Sequence, residues 1–163
     1  MFGFGNKNKP PQPPWENPEW TTEARFAKYL RHMEEWVNAE PFQTRSLVDG
    51  YPMLHTDKGH LEFFLPRKDR EEMLIEEAKQ AGVYEKHQER CEALRKHVAE
   101  KNLQFLQIAL DILKSEGEGA LKKHGWLDVT KREFTKDIID PAKELGIDTT
   151  TAEKAFEALY VSK

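Results

Sequence analysis

Two residues with metal-binding side chains, His87 and Cys91, stand four apart in a stretch with helical apolar spacing, which places an imidazole and a thiol on one helix face. A structural zinc site needs about four such ligands, and no CxxC or HxxxH accompanies the pair, so both residues are read as positions on an apolar seam. A carboxylate-bridged di-iron centre would need Glu-x-x-His repeats, and no histidine here has a glutamate three residues before it. His55 and His60 flank the turn sequence Asp57-Lys58-Gly59 and would stand across from each other in a hairpin, the arrangement of an acid/base pair. No serine or carboxylate is tied to them by spacing, so a small hydrolase centred on them is a third-ranked reading. Asp128, Thr130 and Glu133 have the first spacings of a calcium loop, but Glu133 stands where that loop needs glycine and Ile139 where it needs glutamate. There is no GxGxxG and no P-loop. The sequence therefore predicts no catalytic residue, no cofactor, no metal and no identifiable small-molecule substrate.

A different pattern lies near the C-terminus. Ala142, Leu145, Gly146, Ile147, Ala152 and Ala155 have the spacing of a helix-turn-helix, with glycine at the turn and small or apolar residues at the packing points. Its second helix would present Thr149, Thr150, Glu153, Lys154 and Glu157, with no arginine for guanine and no positive field for phosphate. The net charge of −4 also disfavours a binder of nucleic-acid backbone. A DNA-associated regulator is accordingly the alternative reading, and nucleic acid is not the expected partner.

The elements that would position such residues are organised around the stretch from Asp69 to Leu113, which keeps helical apolar spacing for roughly 45 residues without a proline. Asp69 and Glu72 have the spacing of a capping box just after Pro66. With Tyr84 at position a, the seam reads Tyr84, His87, Cys91, Leu94, Val98, Lys101, Phe105, Ile108 and Ile112, a heptad register with polar lapses. From Leu103 to Leu113 the apolar residues surround the helix, which marks a buried segment. Gly82 interrupts the stretch, but no Ser, Thr, Asp or Asn follows it to cap a fresh helix, so the sequence predicts one long helix over about 69–114, kinked at most.

Upstream, Met1 to Asn17 carries Phe2, Phe4, the run Pro10-Pro11-Gln12-Pro13-Pro14 and Trp15, a composition that favours an extended arm, with Trp20 just beyond it. Thr22 to Ala39 reads as an amphipathic helix whose face holds Phe26, Tyr29, Leu30, Met33, Trp36 and Val37. Between Phe42 and Leu65 the apolar runs shorten and are separated by Asp49-Gly50 and Asp57-Lys58-Gly59, predicting a small antiparallel β-meander in which Met53 to Leu65 is the firmer hairpin. Short helices are expected over 120–161: Ala120 to His124, Thr130 to Ile139, a new one opened by Asp140-Pro141, and Thr149 to Tyr160.

The expected fold is mainly α with some β: a Pro-rich arm over 1–17 and a single helical domain over 18–163. A charged fraction of 33% and a mean hydropathy of −0.79 imply much solvated surface. Cys91 is the single cysteine, no signal-peptide core is present and no apolar run reaches membrane-spanning length, so a cytoplasmic protein, or one assembled there into a larger particle, is expected. The function read from these features is a non-enzymatic interaction or structural component of an assembly, such as an adaptor, a scaffold or a viral or mobile-element subunit. The expected contacts, with a protein partner or a second copy, are the aromatic residues Phe2, Phe4, Trp15 and Trp20 and the coiled-coil stripe Tyr84, Cys91, Leu94 and Val98.

Overall fold

A computed structural model of the chain describes residues 13–42, 54–61, 63–117, 119–124 and 134–161. They are mostly helical. A 3-10 turn, Pro14–Glu16, leads to helix α1, Thr22–Val37. The Thr21 hydroxyl caps α1 by accepting the Ala24 N–H at 3.1 Å. A hairpin of β1, Leu54–Thr56, and β2, Gly59–Leu61, precedes α2, Lys68–Gln80. A second 3-10 turn, Glu85–His87, opens directly into α3, Gln88–Glu116, and the short α4, Ala120–Lys123, follows. A π-helical segment, Thr135–Ile139, runs into α5, Asp140–Glu144, and α6 is Thr150–Val161.

The single long helix is replaced by a helical hairpin. At Gly82 the backbone takes φ +75°, the Gly82 N–H donates to the Lys79 carbonyl at 3.1 Å, and the Val83 N–H reaches back to Ala78 at 3.0 Å. These are the two bonds of a Schellman motif, with glycine at the left-handed position and an apolar residue after it. They satisfy the last carbonyls of α2, and no side-chain cap is needed to start α3 because the 3-10 turn feeds it. The start of α2 differs as well: its N-cap is Arg67 and no side chain caps it, so Asp69 and Glu72 form no capping box.

Folding back at Gly82 lets α1 lie against both arms. Arg25 pairs with Glu77 at 2.7 Å and Tyr29 hydrogen-bonds Glu71, so α1 and α2 run in opposite directions. Phe26 lies 6.3 Å from His87 and Trp36 lies 5.4 Å from Phe105, so α1 and α3 run in the same direction. The aromatic face predicted for α1 is thereby spent on α3.

Among the described residues the β structure is one two-stranded antiparallel hairpin, and the expected meander is not shown. Thr56 pairs with Gly59, leaving a two-residue loop, Asp57-Lys58. The Thr56 hydroxyl ties that loop, accepting from the Lys58 N–H at 3.1 Å and donating to the Gly59 carbonyl at 2.9 Å. The Asp49-Gly50 turn and the first expected hairpin lie outside the described residues.

After the hairpin, Phe63 and Phe64 join two halves of the core. Phe64 lies 5.8 Å from Trp15 and 6.3 Å from Trp36; Phe63 lies 6.2 Å from Phe134, which stacks edge-on to Phe156 at 5.3 Å. Asn102 of α3, 5% exposed, holds this joint. Its Oδ1 accepts the Phe64 N–H and its Nδ2 donates to the Phe64 carbonyl, both at 3.0 Å.

In the C-terminal part, α5 opens at Asp140-Pro141 as expected, but without a break from the segment before it. The backbone passes through that pair by widening one turn: the Asp140 N–H donates to the Thr135 carbonyl, five residues back. Proline at 141 has no N–H and its ring needs room beside the preceding turn, which the wider turn supplies. The expected Gly125 stop and the residues around Thr130 lie outside the described residues.

Candidate functional site

A polar group set between the helices is Tyr29, Glu71 and Arg95, one from each of α1, α2 and α3. Glu71 accepts from the Tyr29 hydroxyl and, at 3.4 Å, from Arg95. Burial and the neighbouring Glu71 carboxylate push the Tyr29 hydroxyl well above the usual tyrosine range, so it stays a neutral donor. Burial alone would lower the Arg95 value, but Glu71 outweighs it and the guanidinium is held charged. Cys91 lies beside them, fully buried, its thiol pushed up to about 11 chiefly by burial. At neutral pH it is a thiol, neither an activated nucleophile nor a ready metal ligand. Both Glu71 oxygens are thereby engaged, one by Tyr29 and one by Arg95.

Of the two residues read as seam positions, only Cys91 is one. His87 sits exposed in the 3-10 turn while Cys91 points into the core. Among the described residues no cluster of three or more metal-ligating side chains occurs. His55 and His60 occupy opposite positions of the hairpin ladder. Beside their turn is an open cleft of about 610 Å³, lined by Thr56, Asp57 and Lys58 of the hairpin, Ile112, Ser115 and Glu116 of α3, and Lys123 and His124. The His124 Nε2 meets Glu116 Oε1 at 2.8 Å, and that hydrogen bond, with Lys123 at 3.7 Å, holds the Glu116 carboxyl below its usual value. The Ser115 hydroxyl donates to the Ile112 carbonyl at 2.8 Å, so it is engaged with its own helix.

The coiled-coil stripe proves to be interior. Cys91 is 0% exposed and Tyr84, Leu94 and Val98 are each 8% exposed, all within the core. The pattern was legible, but the apolar partner is the chain's own α1, tethered close by, and it takes the surface a second chain would need. Trp15 is also interior, at 0% exposed, packed edge-on to Tyr29 at 5.7 Å and to His32 at 5.0 Å. The boundary drawn after Asn17 thus falls inside the folded unit. Trp20 remains on the surface at 39% exposed, while Phe2 and Phe4 lie outside the described residues.

The helix-turn-helix spacing corresponds to a real turn. Gly146 has φ +78°, its N–H donates to Lys143, and the Ile147 N–H donates to Ala142, a second Schellman motif. Ala142 and Ala152 are buried, Ile147 and Ala155 are half-buried, and Leu145 is exposed. The charge of the turn is largely used internally: Glu153 accepts from Thr149 at 2.6 Å and pairs with Lys143 at 3.1 Å, which lowers its carboxyl value.

Sequence reasoning missed Asn102, the Phe63–Phe64 joint, the Glu71–Arg95 pair and His32. For Asn102 a signal existed: one amide standing among Ala99, Leu103, Phe105 and Leu106 requires a buried partner. No known family, characterised protein or solved structure matches the chain.

Proposed function

We propose that the protein is a non-enzymatic interaction or structural component of a larger assembly, and that it makes contact through its Pro-rich N-terminal segment together with Trp20. The observation that carries this reading is the anchoring of that segment at its base. Trp15, directly after Pro10 to Pro14, is wholly buried, and the Arg25 Nε donates to its carbonyl at 2.9 Å. A stiff segment held at one end loses less freedom on meeting a partner than a free tail does. Five residues from the anchor, Trp20 keeps a large apolar face in water. The rest of the large aromatic surface in the described residues is consumed by the core, so Trp20 is where a contact would gain most.

The test compares the full chain with a chain lacking residues 1–12 and with Trp20→Ala, in sedimentation of the purified protein and of extract from its source cells. The expected result is a larger species with the full chain that is lost in both variants at unchanged thermal midpoint. Unchanged sedimentation in both variants would overturn the proposal.

A further inference from the structure

We propose that residues 13–16 form a pH-gated strap on the helical domain, and that His32, under the Trp15 ring, is the gate. The proposal stands whatever the N-terminal segment binds, because it concerns how the strap sits on its own domain.

The seat of Trp15 is apolar in character but carries polar atoms it does not satisfy. Its floor is Tyr29, His32 and Phe64, with ring centroids 5.7, 5.0 and 5.8 Å away. His32 is 7% exposed, and its Nδ1 is buried with no hydrogen-bond partner; the Trp15 Nε1 is likewise buried and unpartnered. A neutral imidazole tolerates this, since Nδ1 can be its acceptor nitrogen. A protonated ring cannot, because Nδ1 would then carry a buried proton with no acceptor in reach, on a ring left only 7% exposed. An indole face attracts a cation, but by less than the loss of hydration costs. Moving Trp15 aside gives the imidazolium water without opening the helices below it.

Neighbouring charges do not rescue the buried cation. On its own helix Glu35 favours the charged form, while Lys28 and Arg31 oppose it, and burial is the larger influence, holding His32 below the ordinary histidine value. On the strap, Glu16 is engaged with Arg67 from the residues before α2, at 3.3 Å. Across α2 and α3, Glu71 is engaged with Arg95 and Tyr29, and Glu77 with Arg25. The seated state therefore binds fewer protons than the open state. Seating is complete above about pH 6.5 and weakens by up to roughly tenfold for each unit below it, until the lowered value of the seated ring is reached.

The experiment is fluorine NMR of the full chain labelled with 5-fluorotryptophan, with the Trp15 resonance assigned by Trp15→Phe, titrated from pH 7.5 to 5. The expected result is that the Trp15 resonance moves toward its solvent-exposed position below about pH 6.5 while that of the buried Trp36 stays. His32→Phe, and His32→Leu should the first variant not fold, hold Trp15 in place over the whole range. A Trp15 resonance that does not respond to pH overturns the gate. So does movement of Trp15 and Trp36 together, which is general unfolding, or the same movement in a folded variant without His32.

Discussion

Replacing Asn102 should destabilise the protein, because one amide satisfies both backbone groups of Phe64. Its two hydrogen bonds are each 3.0 Å long and the residue is 5% exposed, with Phe64 itself 2% exposed. In Asn102→Ala both the N–H and the carbonyl of Phe64 are left buried without partners. At about 1–3 kcal/mol for each of the two orphaned groups, the loss is roughly 2–6 kcal/mol. For a chain of this length, at about 2–4 °C per kcal/mol, that lowers the thermal midpoint by about 4–24 °C. Asn102→Asp separates the two bonds. Its carboxylate still accepts from the Phe64 N–H, but its second oxygen confronts the Phe64 carbonyl, whereas a protonated acid donates to it. The folded-state value of that carboxyl is therefore raised above the ordinary aspartate value near 3.9. Its stabilising contribution is full below that ordinary value and is lost as pH rises through the raised one. Thermal and urea unfolding of the wild type and both variants, between pH 4 and 7.5, should show the Asp variant gaining on the Ala variant as pH falls. A loss below 1 kcal/mol in Asn102→Ala, or an Asp variant that gains on Ala as pH rises, would refute the clamp.

Further outcomes follow from the turns and from the interior stripe. Gly82→Ala meets open space but must hold φ +75°, so it should cost about 1–2 kcal/mol in urea unfolding. Gly59→Ala should cost at least twice as much, because its Cβ would stand 2.5 Å from the Phe42 carbonyl oxygen and backbone must move. Equal losses at the two positions would count against the close approach at the hairpin. Leu94→Glu with Val98→Glu places two unpaired charges in a core that leaves each position 8% exposed. The expected effect is loss of the folded state in circular dichroism; an intact fold with only altered sedimentation would restore the stripe as a contact between chains.

Helix types and faces were legible because apolar spacing records which side is buried. Phe26, Tyr29, Leu30, Met33 and Trp36 are buried on α1 as their spacing implies. What spacing leaves open is which surface covers a stripe, and that depended on the turn at Gly82. The sequence does carry the turn: Lys79 in the last turn, Gly82 and then apolar Val83 are a C-terminal capping pattern. Looking only for an N-cap after the glycine hid it, since α3 begins through a 3-10 turn that needs none. Pro141 marked the start of α5 correctly, and the spacing left unread only the wide turn that joins it to the segment before. Tyr29 and Arg95 lie 42 and 24 residues from Glu71 along the chain, on separate helices, and no local pattern links the three.

The most direct measurement of the interaction reading is photo-crosslinking from a benzoylphenylalanine placed at Phe4 or at Trp20, with Met73, 51% exposed on α2, as the control position. The full chain is irradiated both purified and in extract of its source cells. The account predicts adducts to one and the same second polypeptide, whether another protein or another copy of this chain, from positions 4 and 20 and not from position 73. Adducts confined within the chain at both positions, or an equal yield from position 73, would contradict it.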